Sequence, residues 1–404
     1  MTQTALRPTA PASATEVVDA AAVAPVAEKR RQTSGVRIGD LLTLVGALIG
    51  SLALTSFLAT QLVPIHGFLA FFVVAYAVFV GIYSLLVWLD EPGPVVLDRV
   101  VAILVQSGAF LLVIALASVL IYTVIKGASA VWHPNFYTQD LTVTGSKDPL
   151  TTGGVMHAIV GTLTQISIAL LVTIPLGVTT ALFLSEVPGP FSRFVRTIVE
   201  AMTALPSIVA GLFILATLIL MLGFDKSGLA AGLAITVMML PIMIRAADVV
   251  FRLVPGTLKE ASLGLGASQF KTVMNVVLPT SRSGLMTAII LATARGIGET
   301  SPVLLTAGYT ASLNKNPFSG PMVSLPLVVF QLVKSPEPTM VARGFGTAVV
   351  LMVLVLILFV LARVVGAQDV AKKAARKKRR AALRARLSSL HLSIPGRHRS
   401  TPDA

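Results

Sequence analysis

The chain has 404 residues, of which 55% are hydrophobic and only 12% charged, with a formal net charge of +14. An ordinary soluble domain carries about 25% charged residues, so this chain has too little polar surface to coat a soluble globule and reads as a polytopic membrane protein. The absence of cysteine excludes disulfide scaffolds, thiol nucleophiles and thiolate metal sites.

Residues 1–38 are rich in Ala, Pro and Thr and contain no apolar run long enough to pack, which predicts a disordered tail. No secretory h-region follows Met1, because the first apolar stretch begins near Leu41 and is too long for one. A span takes about 20 apolar residues. By that measure eight are expected, at 40–63, 67–89, 100–125, 162–184, 206–223, 229–244, 284–308 and 344–362. The run 322–333 is too short to cross and is expected to be interfacial or re-entrant. The fold class is therefore an all-α helical membrane bundle.

Charge orients it. With the N-terminus placed in the cytoplasm, most of the 32 Lys and Arg residues fall on the inner side, including the two tails. Lys126, Lys147, Lys226, Lys315, Lys334 and Arg343 are assigned to outer segments. Both termini are thus expected in the cytoplasm. The final segment, 367–404, is dense in Lys and Arg but lacks the interleaved aromatics that stack on bases. It reads as a juxtamembrane segment attracted to anionic lipid at roughly 1 kcal/mol per basic residue, with no nucleic-acid role.

Ionisable residues inside a span are costly and mark function. Arg295 and Glu299 stand four apart within 284–308, on one helical face where they can pair. The expected role is an arginine facing an anion pathway with the glutamate holding it. Arg245, near the inner end of the span at 229–244, is a second pathway candidate, although an arginine there can also snorkel to the interface. Pro241 lies in that same span, and Pro206 with Ser207 opens the span at 206–223. The histidines, His157 among them, lie in or beside loops and in the basic tail, without metal-ligand spacing. No Gly-Lys dipeptide occurs, so no P-loop and no ATP site of the chain's own is expected, and no cofactor is implied.

The largest polar segment between spans, 246–283, is cytoplasmic in this topology. Within it, 254–279 predicts two short helices around a glycine elbow. Thr257 and Glu260 have capping-box spacing, Gly266 stops the first helix, and Ser268 caps a second that ends before Pro279. Such an ordered loop suggests a knob made to fit a partner.

That loop resembles the EAA motif of bacterial ABC-importer permeases: E-A-A, three residues, Gly, nine residues, I-x-L-P. Here it reads Glu260-Ala261-Ser262, then Gly266, then Val276-Val277-Leu278-Pro279 at the same spacing, with Ser262 and Val276 as departures. The blocks ALPSIVAGLF, LPIMIRAADVVFRLVPGTLKEASLGLGAS and ARGIGETSPVLLTAG resemble phosphate-specific transport permeases of the PstA type. The resemblance covers about 100–366 and implies a six-span permease core at 99–366. It leaves two accessory spans at 39–98 and both tails outside. It implies that Arg295 and Glu299 serve phosphate passage and that Glu260, Ala261, Ser262, Gly266, Leu278 and Pro279 couple to an ATPase. The implied partners are a PstC-like second permease, two ATP-binding subunits and an external phosphate-binding protein, in the plasma membrane. The chain itself is then no enzyme. A permease for another oxyanion such as sulfate or molybdate, a membrane subunit reporting phosphate status, and a secondary transporter are the competing readings.

Overall fold

The structure, a computed structural model, describes residues 38–62 and 67–391, with backbone alone beyond residue 364. The tail expected at 1–38 lies outside the described residues except for Ile38, which begins α1, and so do His66 and the residues from 392 onward. Two compact units divide the chain, Met1–Ile114 and Ala115–Ala404. In the first, α1 (Ile38–Phe57) ends in a π turn (Leu58–Leu62) and α2 (Phe68–Asp90) follows, and α3 (Gly93–Val131) begins in the first unit and ends in the second. Arg99 of α3 donates from Nη1 to Asp40 Oδ1 at 2.6 Å and from Nη2 to Glu91 Oε1 at 3.3 Å. One guanidinium thus joins the start of α1, the end of α2 and α3.

The second unit continues with α4 (Asn135–Thr138), α5 (Met156–Glu186), α6 (Pro190–Thr203) and α7 (Ser207–Ile214), which passes into a π turn (Leu215–Met221). Then come α8 (Gly228–Arg252), α9 (Gly256–Gly264), α10 (Gln269–Thr272), a π turn (Val273–Val277) and α11 (Leu278–Ile297). Last are α12 (Ser301–Thr306), α13 (Leu325–Leu332) and α14 (Pro338–His391). Among the described residues seven helices are long and apolar enough to cross a membrane, and α6 with α7 and its π turn, bent by 106°, forms either a broken eighth span or a re-entrant loop. Seven of the eight expected spans overlap one of these seven helices, and the remaining one, 206–223, falls on α7 and its π turn. α6 lies outside the expected spans, because its charged and apolar residues alternate at helical spacing and leave no continuous apolar run.

The core is built on α5 against α8. Small residues let the two backbones approach, as they do in lipid-embedded helix pairs. A Cβ on Gly232 would lie 2.8 Å from Ile168 Cγ2, and one on Gly177 would lie 2.6 Å from Met243 Cγ. Ala169, Ala181, Ala231 and Ala247 are fully buried alongside them. The eight-residue α13 is buried along Leu325–Val328. Gln165 Nε2 of α5 donates to Met322 O at 2.6 Å, just before it.

Three local expectations are corrected. The span at 284–308 is not one helix: α11 stops at Ile297 and α12 starts at Ser301. Pro302 has no N–H for Gly298 O and its ring would clash with that carbonyl, so the helix cannot run through. The second elbow helix does not end before Pro279. It widens into the π turn and continues into α11, with Pro279 in the first turn, where a missing N–H is tolerated. Nor does Thr257 cap α9. The helix already begins at Gly256 behind Pro255, and no side-chain cap bond forms.

Candidate functional site

Arg295 occupies the last turn of α11, and its Nη2 lies 3.1 Å from Glu299 Oε1. The two ends of this pair differ sharply in environment. The arginine side chain is 57% exposed and the glutamate 6% exposed. The expected pairing is present, but Glu299 sits beyond the helix end and not on its face. The chain turns at Gly298, and Glu299 N donates to Gly296 O at 3.2 Å.

Packing holds this turn in place. Gly296 is buried against Met239 and Ile235 of α8, and a Cβ on Gly211 of α7 would lie 2.7 Å from Pro302 Cα. Two sequence blocks distant along the chain, around Gly211 and around Pro302, therefore meet beside the ion pair. A half-exposed guanidinium backed by a buried carboxylate keeps its position while leaving donors free for an anion.

Arg245 is not part of this pair. Its Nη2 lies 3.9 Å from Glu200 Oε1 of α6, with both side chains 55% exposed. It stands six residues beyond Met239 on α8, a rise of about 9 Å.

The elbow forms as a compact knob. α9 stops at Gly264, and Gly266 just beyond it has φ +82°. Gly266 N donates to Leu263 O at 2.9 Å and Ala267 N to Ser262 O at 3.2 Å, the two reversed bonds of a Schellman helix end. Ser268 then caps α10 by accepting from Lys271 N at 3.4 Å. The Ser262 hydroxyl, which replaces the second alanine of the EAA pattern, lies 2.9 Å from Thr272 Oγ1 and closes α9 onto α10. Glu260 and Ala261 are exposed, while Leu278 and Pro279 are half-buried where the knob joins α11. Leu265 is 89% exposed and Phe270 73% exposed, so the tip presents apolar side chains.

Several buried polar contacts are not legible in the sequence. Asp248 of α8 is buried and accepts from Arg196 Nη1 at 2.9 Å and Arg252 Nε at 3.2 Å, binding α6 to α8 near the knob. Arg343, assigned above to an outer segment, is fully buried in α14. Its Nη2 donates to the carbonyls of Asp148, Pro149 and Thr152 at 3.1, 2.8 and 3.0 Å. The one signal was its place inside the continuous run VARGFGTAVV. His157, read as a loop neighbour, is buried in the first turn of α5 with neither ring nitrogen hydrogen-bonded. Outside the spans, Asp140 accepts from Thr142 N at 3.2 Å and Leu313 N at 3.1 Å. Burial alone would raise its carboxyl, but these N–H groups outweigh it and hold the group below the usual carboxylate range.

Comparison with known proteins places this arrangement in a family. Residues 173–368 match the family described as binding-protein-dependent transport system inner membrane component. The chain is 39% identical over 231 residues to the phosphate transport system permease protein PstA 1 of Mycobacterium tuberculosis (strain ATCC 25618 / H37Rv), covering 57% of this chain and 74% of that protein. It is 34% identical over 226 residues to the PstA protein of Xylella fastidiosa (strain 9a5c), covering 55% of this chain and 78% of the relative. A solved structure of the inward-facing MetNI methionine ABC transporter aligns at 20% identity and a TM-score of 0.40, covering 54% of this chain and 94% of that one. Identity above 30% across most of each relative's length makes this chain a member of the PstA family of phosphate transport system permease proteins.

Proposed function

We propose that the chain is the transmembrane permease subunit of an ATP-driven importer of inorganic phosphate, in which it forms half of the translocation pathway. The observation that carries this reading is the Arg295–Glu299 pair, with its cation open and its carboxylate buried. Phosphate bears one to two negative charges, and each costs about 2.3 kcal/mol per 100 mV to bring into an inside-negative cell. Import therefore needs a motor, and ATP hydrolysis falls to partner subunits. In this reading Glu299 anchors Arg295, which offers donors to the passing anion. Arg245, held more loosely by Glu200, serves the same path nearer the cytoplasm.

The elbow at 254–279 docks an ATPase subunit through its exposed apolar tip, with Glu260, Ala261, Ser262 and Gly266 shaping the knob and Leu278 and Pro279 joining it to α11. The assembly comprises a PstC-like second permease, two ATP-binding subunits and an external phosphate-binding protein. Both termini face the cytoplasm of a plasma-membrane protein. The spans within 39–98 are accessory to the core at 99–366, and the basic segment 367–404 meets anionic lipid.

The test is phosphate uptake by Arg295→Ala in membranes where its insertion and its association with the ATPase are verified. Uptake is expected to be lost with assembly intact, and Glu299→Ala is expected to fail as well, because Arg295 loses its partner. Uptake near wild type in correctly inserted Arg295→Ala overturns the pathway role.

A further inference from the structure

The knob is joined to the bundle by more than its own chain. Covalently it connects α8 to α11, which leaves α5 without a direct link. Yet Lys259 Nζ of α9 is ion-paired with Glu186 Oε1, the last residue of α5, with side chains 24% and 13% exposed. Gln269 Nε2, at the start of α10, donates to the backbone oxygen of that same Glu186 at 3.0 Å. Ser185 Oγ donates to Glu186 Oε1 at 3.1 Å. Both elbow helices thus converge on one residue.

The chemistry of the position argues that this is no incidental surface contact. A helix ends with carbonyls that have no intrahelical partner, and α5 satisfies two of them from outside. Gln269 takes the carbonyl of Glu186, and Arg196 Nη2 takes that of Leu184 at 3.4 Å. A carboxylate at a helix C-terminus is also opposed by the helix dipole. Glu186 occupies that unfavourable place with little exposure, and Lys259 offsets the repulsion. The next residues, Val187, Pro188 and Gly189, break the chain before α6, so the end of α5 has no helical continuation to hold it.

We propose that Glu186 is a positioning residue that ties the elbow to α5 through Lys259, so that movement of the knob is delivered to α5 together with α8 and α11. This rests on the reading of the elbow as the ATPase contact. The tie acts on transmission and not on docking, because Glu186 lies at the root of the knob and the exposed apolar residues lie at its tip.

The experiment uses the full assembly in proteoliposomes and measures phosphate imported per ATP hydrolysed. Glu186→Gln and Lys259→Met are each expected to lower that ratio about fivefold, the lower edge of typical coupling between sites, with the ATPase subunits still co-purifying. The charge swap Glu186→Lys with Lys259→Glu is expected to recover at least half of the loss. A second readout, amide exchange of the last turn of α5, needs no transport and is expected to quicken in both single variants. An unchanged ratio in the single variants, loss of the ATPase subunits from them, or unaltered exchange overturns the tie. Absence of phosphate import by the unaltered assembly would instead overturn the functional reading, with the exchange result still deciding the tie.

Discussion

Gly266 is the position where the geometry makes the sharpest quantitative demand. Its φ of +82° lies in the left-handed region, and a Cβ built on it would meet no atom within 4 Å. Steric room is therefore not at issue, and the whole cost of a side chain there is conformational. For an L-residue that cost is about 1–2 kcal/mol, with β-branched residues at the upper end and asparagine well below it. Such an energy corresponds to a factor of about 5–30 in the population of the native turn. The two reversed bonds, Gly266 N to Leu263 O and Ala267 N to Ser262 O, exist only in that turn. Gly266→Val should therefore loosen the end of α9 while the spans insert normally. Co-purification of the ATPase together with phosphate uptake, measured in the same membranes, is expected to fall in the order Gly266, Asn, Ala, Val. If Gly266→Val matches Gly266→Asn in both measurements, the left-handed turn is not what the knob requires and the coupling argument fails.

Replacing Arg343 with Met should leave three carbonyls of the segment 148–152 without their donor. The destabilisation is expected to be about 3 kcal/mol, at 1 kcal/mol or more for each bond lost. Thermal unfolding of the purified variant and protease cleavage near residue 150 measure it, and a melting temperature equal to wild type would contradict the stabilising role of these bonds. Asp140 sets a pH limit. Its folded-state value is depressed, so its contribution is complete above the unfolded value of about 3.9 and disappears as pH falls through the folded one. Amide exchange at Leu313, corrected for intrinsic rate, is expected to stay slow from neutral pH down to roughly pH 4 and to quicken below it. In Asp140→Asn it should be fast throughout, and equal protection in the two proteins would refute the role.

Much of this molecule is local information. Most of the spans are legible because a membrane demands a fixed length of apolar chain, whereas 206–223 falls on α7 and its π turn, which reach that length only together with α6. The elbow is legible because glycine at 266 and serine at 268 act on their immediate neighbours. Arg295 and Glu299 are legible because four residues is one helical turn, although the pairing survives here across a helix end. The capping at Thr257 failed for the same local reason: a start two residues earlier, with Pro255 at the N-cap, moves the threonine inside the first turn. What the tertiary structure alone decided are the contacts between residues far apart in the chain. Lys259 and Glu186 are separated by 73 positions, Arg196 and Asp248 by 52, and Arg343 and Thr152 by 191. No periodicity connects such residues, since a side chain's partner at that distance is set by which helices pack together. Packing in turn depends on close approaches at Gly177, Gly232 and Gly296, whose consequences appear only when the second helix is in place.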